Sequence, residues 1–294
     1  AEPICERSES LTFTTMKNLL TLFLLLSLSA ILLPAQKTLW RYGTSRTLPM
    51  GQQEFGIIHP FQIGATDKLE ISAQPLLGLT LAPNVSFKYS WLDGSWGVAS
   101  RHAFSIPTQL IRTLAYLPWD ESAIRSQHEI PYVFNFRNEG IVTKQLATEM
   151  LITARAGFEF SLKAWGDSTL PAITAKPFYR LLYLRSTTLN KKLLWYAGAQ
   201  YDVNIYKDFN AMADLFFYSS GWFNGWAIEH KGYFIWNKSN KFAALIGYKM
   251  GYGTYPEQTF TALPANRFFI FPVADLIWKL NVKRQPQKDL FRVR

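Results

Sequence analysis

From Met150 to Trp165 the chain reads MLITARAGFEFSLKAW, and its apolar side chains fall on every second position: Met150, Ile152, Ala154, Ala156, Phe158, Phe160 and Leu162. Arg155, Glu159 and Lys163 stand between them. Successive side chains of a strand point to opposite faces, so an alternation kept this long specifies a strand with one greasy and one polar face. The pattern recurs. In LLWYAGAQYDVNI, Leu193, Trp195, Ala197, Ala199, Tyr201 and Val203 oppose Tyr196, Gly198, Gln200, Asp202 and Asn204. In KFAALIGYKMGYGTY, Phe242, Ala244, Ile246, Tyr248, Met250 and Tyr252 oppose Ala243, Leu245, Gly247, Lys249, Gly251 and Gly253. GWAIEHKGYFIWNK sets Trp226, Ile228, Phe234 and Trp236 against Glu229 and Lys231, with His230 and Gly232 interrupting the apolar face. That interruption predicts a bulge or a patch covered by protein.

The second face of these strands is small or polar, which suits a lumen better than a dry core. Several keep phase for about 12–14 residues, against about 5 or 6 for an ordinary strand. A soluble periplasmic β-sandwich that binds ligands is the structural alternative, because its half-buried strands alternate too. Aromatic placement argues for lipid. The chain holds ten Trp and fourteen Tyr, and Trp195, Tyr201, Trp226, Trp236, Tyr248, Tyr252 and Trp278 lie toward strand ends on the apolar face, as an aromatic girdle at a membrane surface requires. The fold class expected is therefore all-β: a transmembrane antiparallel up-and-down β-barrel of about twelve strands behind a cleaved N-terminal signal peptide.

The twelve candidate strands are 53–63, 68–79, 84–92, 96–105, 137–147, 150–163, 177–186, 193–206, 211–219, 225–237, 241–254 and 267–280. Turn signals separate them, the sharpest being Asp93-Gly94. Pro60 and Pro75 weaken the first two, since proline removes a ladder donor. Residues 106–133 do not alternate. Leu110, Ile111, Leu114 and Leu117 have helical spacing there, as a short amphipathic helix that plugs the lumen or lies on the membrane surface would need; a structured loop is the alternative and the one expected. Counted from a periplasmic start, this long connection falls on the periplasmic side, an unusual place that puts one strand boundary in doubt.

Near the start, MKNLLTLFLLLSLSAILLPAQK has a charged n-region at Lys17, an apolar run from Leu19 to Leu33, and Pro34-Ala35 before polar sequence. It reads as a signal peptide over residues 16–36, cut beside Ala35 or Gln36. Residues 1–15 are then an extension ahead of a start at Met16, residues 37–280 the barrel domain, and residues 281–294 a basic tail. The only cysteine, Cys5, lies outside that exported portion, which excludes a disulfide framework and a cysteine nucleophile there.

Signal peptide, alternating strands and aromatic belts together resemble the outer-membrane β-barrel proteins of Gram-negative bacteria. The segments RTLPMGQQEFGIIHPFQIGATDKLEISAQPL, ASRHAFSIPT, EHKGYFIWNKS and GYKMGYGTYP resemble, more narrowly, an uncharacterised barrel family. The resemblance spans roughly residues 46–280 and carries no site with it. It implies an outer-membrane location, with membrane lipid, lipopolysaccharide and the barrel-assembly machinery as partners. One departure is the last strand, which ends at Leu280 without the terminal aromatic such machinery reads.

Among residues able to do chemistry, His59, His102, His128 and His230 are too scattered for a metal site, and no cofactor motif is present. The formal charge of +10 comes without a basic stripe, so nucleic acid is not an expected partner. Ser100 and His102 are the one nucleophile and base close in sequence, but residues two apart on a strand seldom engage each other. The chain is accordingly not expected to be an enzyme, with an outer-membrane lipid hydrolase using the barrel rim as the alternative. The polar candidates are the lumen-lining charges Arg155, Glu159, Lys163, Asp202, Glu229, Lys231 and Lys249. Unpaired around a pore they would set selectivity for a passive channel or transporter of small or amphipathic solutes; paired, they would fill a structural barrel.

Overall fold

The computed structural model describes residues 39–79, 82–110, 112, 131–164, 193–220, 226–254 and 266–282. Twelve antiparallel strands follow one another round a closed sheet: β1 (Gln53–Gly56), β2 (Phe61–Gly64), β3 (Leu69–Ala73), β4 (Asn84–Leu92), β5 (Trp96–Ser105), β6 (Tyr132–Ala147), β7 (Met150–Ala164), β8 (Leu193–Tyr206), β9 (Phe209–Ser220), β10 (Trp226–Ser239), β11 (Phe242–Thr254) and β12 (Asn266–Leu280). Each pairs with its sequence neighbours, and β1 closes the sheet onto β12 through Gln53↔Leu280 to Gly56↔Ile277. This is an up-and-down barrel, and the sandwich alternative is excluded because the sheet closes on itself.

The count of twelve agrees with the sequence reading, but its membership differs. The strand expected over 53–63 is two strands, β1 and β2, reversed by the turn at 57–60 that contains Pro60. That over 68–79 stops at Ala73, where Pro75 opens a five-residue helix, α1 (Pro75–Leu79). The stretch 177–186 lies outside the described residues, and the barrel closes without it because β7 pairs directly with β8 from Met150↔Val203 to Phe160↔Leu193. Residues 1–38, the tail from 283, and Ile111, Leu114 and Leu117 of the candidate amphipathic helix are also outside the described residues.

Splitting the first strand repairs the parity of the chain. The reversals at 65–68, 93–95, 148–149, 207–208 and 240–241 now fall at one end, together with residues 39–52 and Asn281. The four-residue reversal at 57–60 and the strand ends that flank 74–83, 106–131, 165–192, 221–225 and 255–265 face the other. We call these the turn end and the loop end. The Asp93-Gly94 signal is realised as the β4–β5 reversal, with Gly94 at φ 143°, a conformation that favours glycine.

Alternation sorts the two faces. On β7, Ile152, Phe158 and Leu162 point outward and are exposed, while Leu151, Thr153, Glu159 and Ser161 point inward and are buried. At 230–232 the ladder keeps register with both neighbours. There is no bulge there; the Tyr248 ring lies over Gly232 instead, close enough that an added Cβ would sit 2.9 Å from it.

Residues 39–52 run inside the barrel at the turn end. Trp40 packs with Met212, Ile235, Ala243, Leu245, Val273 and Ile277, all inward-facing. Ser45 N–H donates to Thr143 Oγ1 (2.9 Å), Leu48 N–H donates to Glu70 Oε2 (3.1 Å), and Gln200 Nε2 donates to the Tyr42 carbonyl (2.9 Å). The wall facing this segment is thin on side chains: an added Cβ at Gly97 would collide with Ser45, and one at Gly64 with the Leu48 and Pro49 carbonyls.

The short β1–β2 turn is held from β12. Asp275 accepts N–H groups of Ile57 (2.8 Å), Ile58 (3.1 Å) and His59 (2.5 Å) on its carboxylate. Removing the acceptor strands several buried donors, so Asp275→Ala is expected to lower stability by about 2–4 kcal/mol, read as the shift in the urea unfolding midpoint of the refolded protein. An unchanged midpoint would mean the turn is held by something else.

Candidate functional site

Two polar assemblies interrupt an otherwise regular division of faces, one inside the barrel and one outside. The inner one gathers charges from β5 to β11. Glu139 on β6 receives Arg101 Nη1 from β5 at 3.2 Å and Arg137 Nη2 at 3.0 Å, with Arg155 Nη1 of β7 at 3.7 Å. Arg155 reaches on to Asp214 of β9 (3.6 Å) and donates to Gln200 Oε1 (3.2 Å). Lys231 joins Asp214 (3.7 Å) to Glu229 (2.8 Å), whose other oxygen takes Lys249 at 2.8 Å. Strand alternation puts these residues on one face; closure puts faces from non-neighbouring strands within reach of each other.

Of the residues singled out from sequence, Arg155, Glu229, Lys231 and Lys249 therefore belong to one network. Glu159 stands apart from it, accepting from Asn135 Nδ2 at 2.5 Å, and Asp202 accepts from Gln200 Nε2 at 3.1 and 3.0 Å. Lys163 lies two positions beyond Ser161 on the same face, toward the loop end. The network's centre was missed: Arg101, Arg137, Glu139 and Asp214. Arg137 and Glu139 sit in phase on β6 and were findable by period alone. Asp214 was hidden because its inward neighbours Met212, Phe216 and Tyr218 are as apolar as the outward face.

The carboxylates have almost no contact with water, while the cations that meet them keep a little, up to 23% of the Lys231 side chain. Glu139, Glu159 and Glu229 are 3% exposed and Asp202 is fully buried. Toward the loop end the network is roofed by Leu194, Tyr196, Phe216, Tyr218 and Ala227. The Arg155 guanidinium lies 4.3 Å from the Phe216 ring centroid, and Arg137 Nε donates to the Tyr196 hydroxyl at 2.9 Å. Toward the turn end stands the segment 39–52. The lumen is thus packed at three successive levels.

Among the expected girdle residues, Trp195, Trp226 and Tyr252 stand at the loop end and Trp236 and Trp278 at the turn end, with Tyr201 nearer the turn end of β8. Tyr248 is mid-strand, where it covers Gly232 and its hydroxyl lies 3.0 Å from His230 Nε2. Trp91, Trp96, Tyr206 and Phe209 complete the turn-end belt and were not anticipated. Lysines lie over several of these rings, Lys144 on Trp96 and Lys207 on Tyr206 at 4.8 Å each.

The outer assembly lies on β4, β5 and β6. Ser100 and His102 face outward from β5, and Asn138 stands opposite His102 on β6. His102 Nδ1 is 2.8 Å from Asn138 Oδ1, His102 Nε2 is 3.3 Å from Ser100 Oγ, and Trp91 Nε1 donates to Ser100 Oγ at 2.9 Å. The expectation that Ser100 and His102 would not engage each other is therefore corrected: the imidazole leans along the strand and reaches back over two residues. Asn138 was overlooked because register, which decides what faces His102, is not written in either strand alone.

No protein-family model matches the sequence, and no curated protein matches it. The functional reading rests on this geometry.

One prediction tests the inner assembly. Glu139→Gln takes the counter-charge from Arg101 and Arg137 and leaves Arg155 with Asp214 alone, and is expected to cost about 3–5 kcal/mol, measured as the loss in unfolding free energy.

Proposed function

We propose that this protein is an outer-membrane β-barrel with a packed lumen, a membrane-embedded scaffold rather than an open passage for solutes. The observation that carries the reading is the burial of its inner charges. Residues lining a wetted pore are solvated, whereas Glu139, Glu159, Asp202 and Glu229 are 3% exposed or less and are met by cationic or amide groups. Mixed charges paired across a lumen hold walls together; they do not select ions.

The outer surface supports the membrane placement. Exposed Phe158, Phe234, Ile246 and Ile270 would be an aggregation liability in water and are at home in hydrocarbon. On β12 the outward residues from Phe268 to Trp278 span about 34 Å of strand, or about 26 Å along the axis at a tilt of about 40°, close to the apolar band of such barrels. Short turns at one end with both described chain ends, and the long connections, the 57–60 reversal apart, at the other, match the periplasmic and outer sides of that class. Lysines over the turn-end rings suit phosphate headgroups. Membrane lipid, lipopolysaccharide on the loop side, and the barrel-assembly machinery are the partners this reading proposes.

Planar-bilayer recording tests it directly. The full chain should give no conductance above protein-free membrane, and neither should a chain lacking residues 39–48, because the mid-lumen ion pairs do not use that segment. A steady conductance from the full chain would sink the packed-lumen reading. Conductance only in the shortened chain would assign closure to the segment and make the protein a gated channel. Carbonate extraction that released the protein from membranes would remove the membrane placement itself.

A further inference from the structure

A lipid-facing wall has no reason of stability to carry serine, histidine and asparagine side by side. Polar side chains in hydrocarbon are costly, and residues that persist there are functional by default. On this wall Phe104 and Phe136 lie beyond the group toward the loop end, and Trp96 lies toward the turn end. Ser100, His102 and Asn138 form a hydrogen-bonded chain between them, and Trp91 completes it.

The direction of that chain follows from what each atom can do. Asn138 Oδ1 only accepts, so the proton of a neutral His102 ring sits on Nδ1. That leaves the lone pair on Nε2, to which the Ser100 hydroxyl donates. The serine oxygen has its own lone pairs free for the Trp91 N–H. This is the tautomer and the polarity that a general base needs in order to draw a proton from a serine nucleophile. Among the described residues, the other outward histidine shows the contrast. His230 is engaged by the Asp214 carbonyl and the Tyr248 hydroxyl rather than by a serine.

Resting on the membrane placement proposed above, we infer that Ser100, His102 and Asn138 form the catalytic centre of a hydrolase acting on carboxylic esters of long acyl chains in the surrounding lipid. Ser100 Oγ attacks the ester carbonyl carbon as its proton passes to His102 Nε2. The oxyanion that forms is within reach of the Trp91 N–H, already aimed at the serine oxygen. Collapse breaks the bond to the alcohol oxygen, which leaves with the proton from His102, and an acyl-serine remains. Water then attacks that ester with His102 again as base, releasing the fatty acid and restoring Ser100. Asn138 touches no reacting atom; it is a positioning residue that fixes the ring and its tautomer. Opposite Ser100 stands Gly140, where an added Cβ would meet nothing nearer than 3.9 Å, so the approach to the serine is open. The acyl ester is a chemistry shared by glycerophospholipids and the acylated sugar of lipopolysaccharide.

The test uses the full chain in detergent micelles, its fold checked by heat-shifted gel migration. It is given phosphatidylethanolamine and, separately, purified lipopolysaccharide, with fatty acid release followed by mass spectrometry. A long-chain fluorophosphonate reports whether Ser100 itself is labelled. Release from either lipid, with Ser100→Ala and His102→Ala each lowering kcat at least about a thousand-fold, is the expected result. Whichever lipid is cleaved identifies the source of the ester. Asn138→Ala should lower kcat with KM unchanged and Asn138→Asp should restore it, since a carboxylate accepts the same proton; His230→Phe, far from the group, should keep the full rate. Folded protein that frees no fatty acid from either lipid, or that turns over and takes up the label as well after Ser100→Ala, overturns the proposal. In the first case a silent bilayer recording still leaves the packed-lumen reading standing.

Discussion

Backbone pairing is the constraint from which the rest follows. A strand presents a row of N–H and C=O groups on each side, and a sheet that closes on itself supplies partners to both. Closure also divides space, so that a period of two becomes an inside and an outside. The wall is uneven. β1, β2 and β3 are four or five residues long while β6 to β12 run to twelve or more, and β12 pairs with β1 only as far as Ile277. Two residues of β12 beyond that point fit the arrangement. Pro272 is tolerated where a strand lacks one described neighbour, and Asp275 lends its carboxylate to the turn where the neighbouring strand stops.

Inside, the problem set by closure is electrostatic. Charges brought inward by strand phase lose their water, a cost that mutual attraction recovers only when geometry is good and every charge is met. Lys231 and Lys249 around Glu229 meet that condition at 2.8 Å each, whereas around Glu139 the arginines Arg101 and Arg137 share one oxygen and the other, 3.7 Å from Arg155, accepts no hydrogen bond. On the function proposed, the consequence is a centre fixed in shape and an interior that serves the architecture; the chemistry proposed for the outer wall would then take lipid arriving sideways.

Facing lipid, as proposed, that outer wall reverses the usual relation of polarity and burial. Ile152, Phe158 and Ile246 are exposed yet conform to their surroundings, whereas the smaller Ser100, His102 and Asn138 are the anomaly. In the membrane setting proposed, their hydrogen bonds to one another limit the cost of standing in hydrocarbon, and the same bonds are the ones that would prepare the serine. Tyr248 over His230 and Gly232 shows that a polar pair on this wall can be purely structural, so it is the order Ser–His–Asn that distinguishes the first group.

Much of this was legible in the residues themselves. Alternation from Met150 to Leu162 and from Phe242 to Tyr252 specified strands and assigned each side chain a face, because the period of a strand is a property of the chain alone. Asp93-Gly94 specified its hairpin for a similarly local reason, a glycine conformation. What stayed hidden needed neighbours. Whether residues 53–63 run straight or fold back depends on Asp275, more than two hundred positions away. Glu139 gathers arginines from β5, β6 and β7, Asn138 meets His102 through the register of two strands, and residues 39–52 fill a lumen only once there is one. Sequence wrote the faces; which faces touch was decided by closure, since contact across a barrel depends on strand stagger and not on any local pattern.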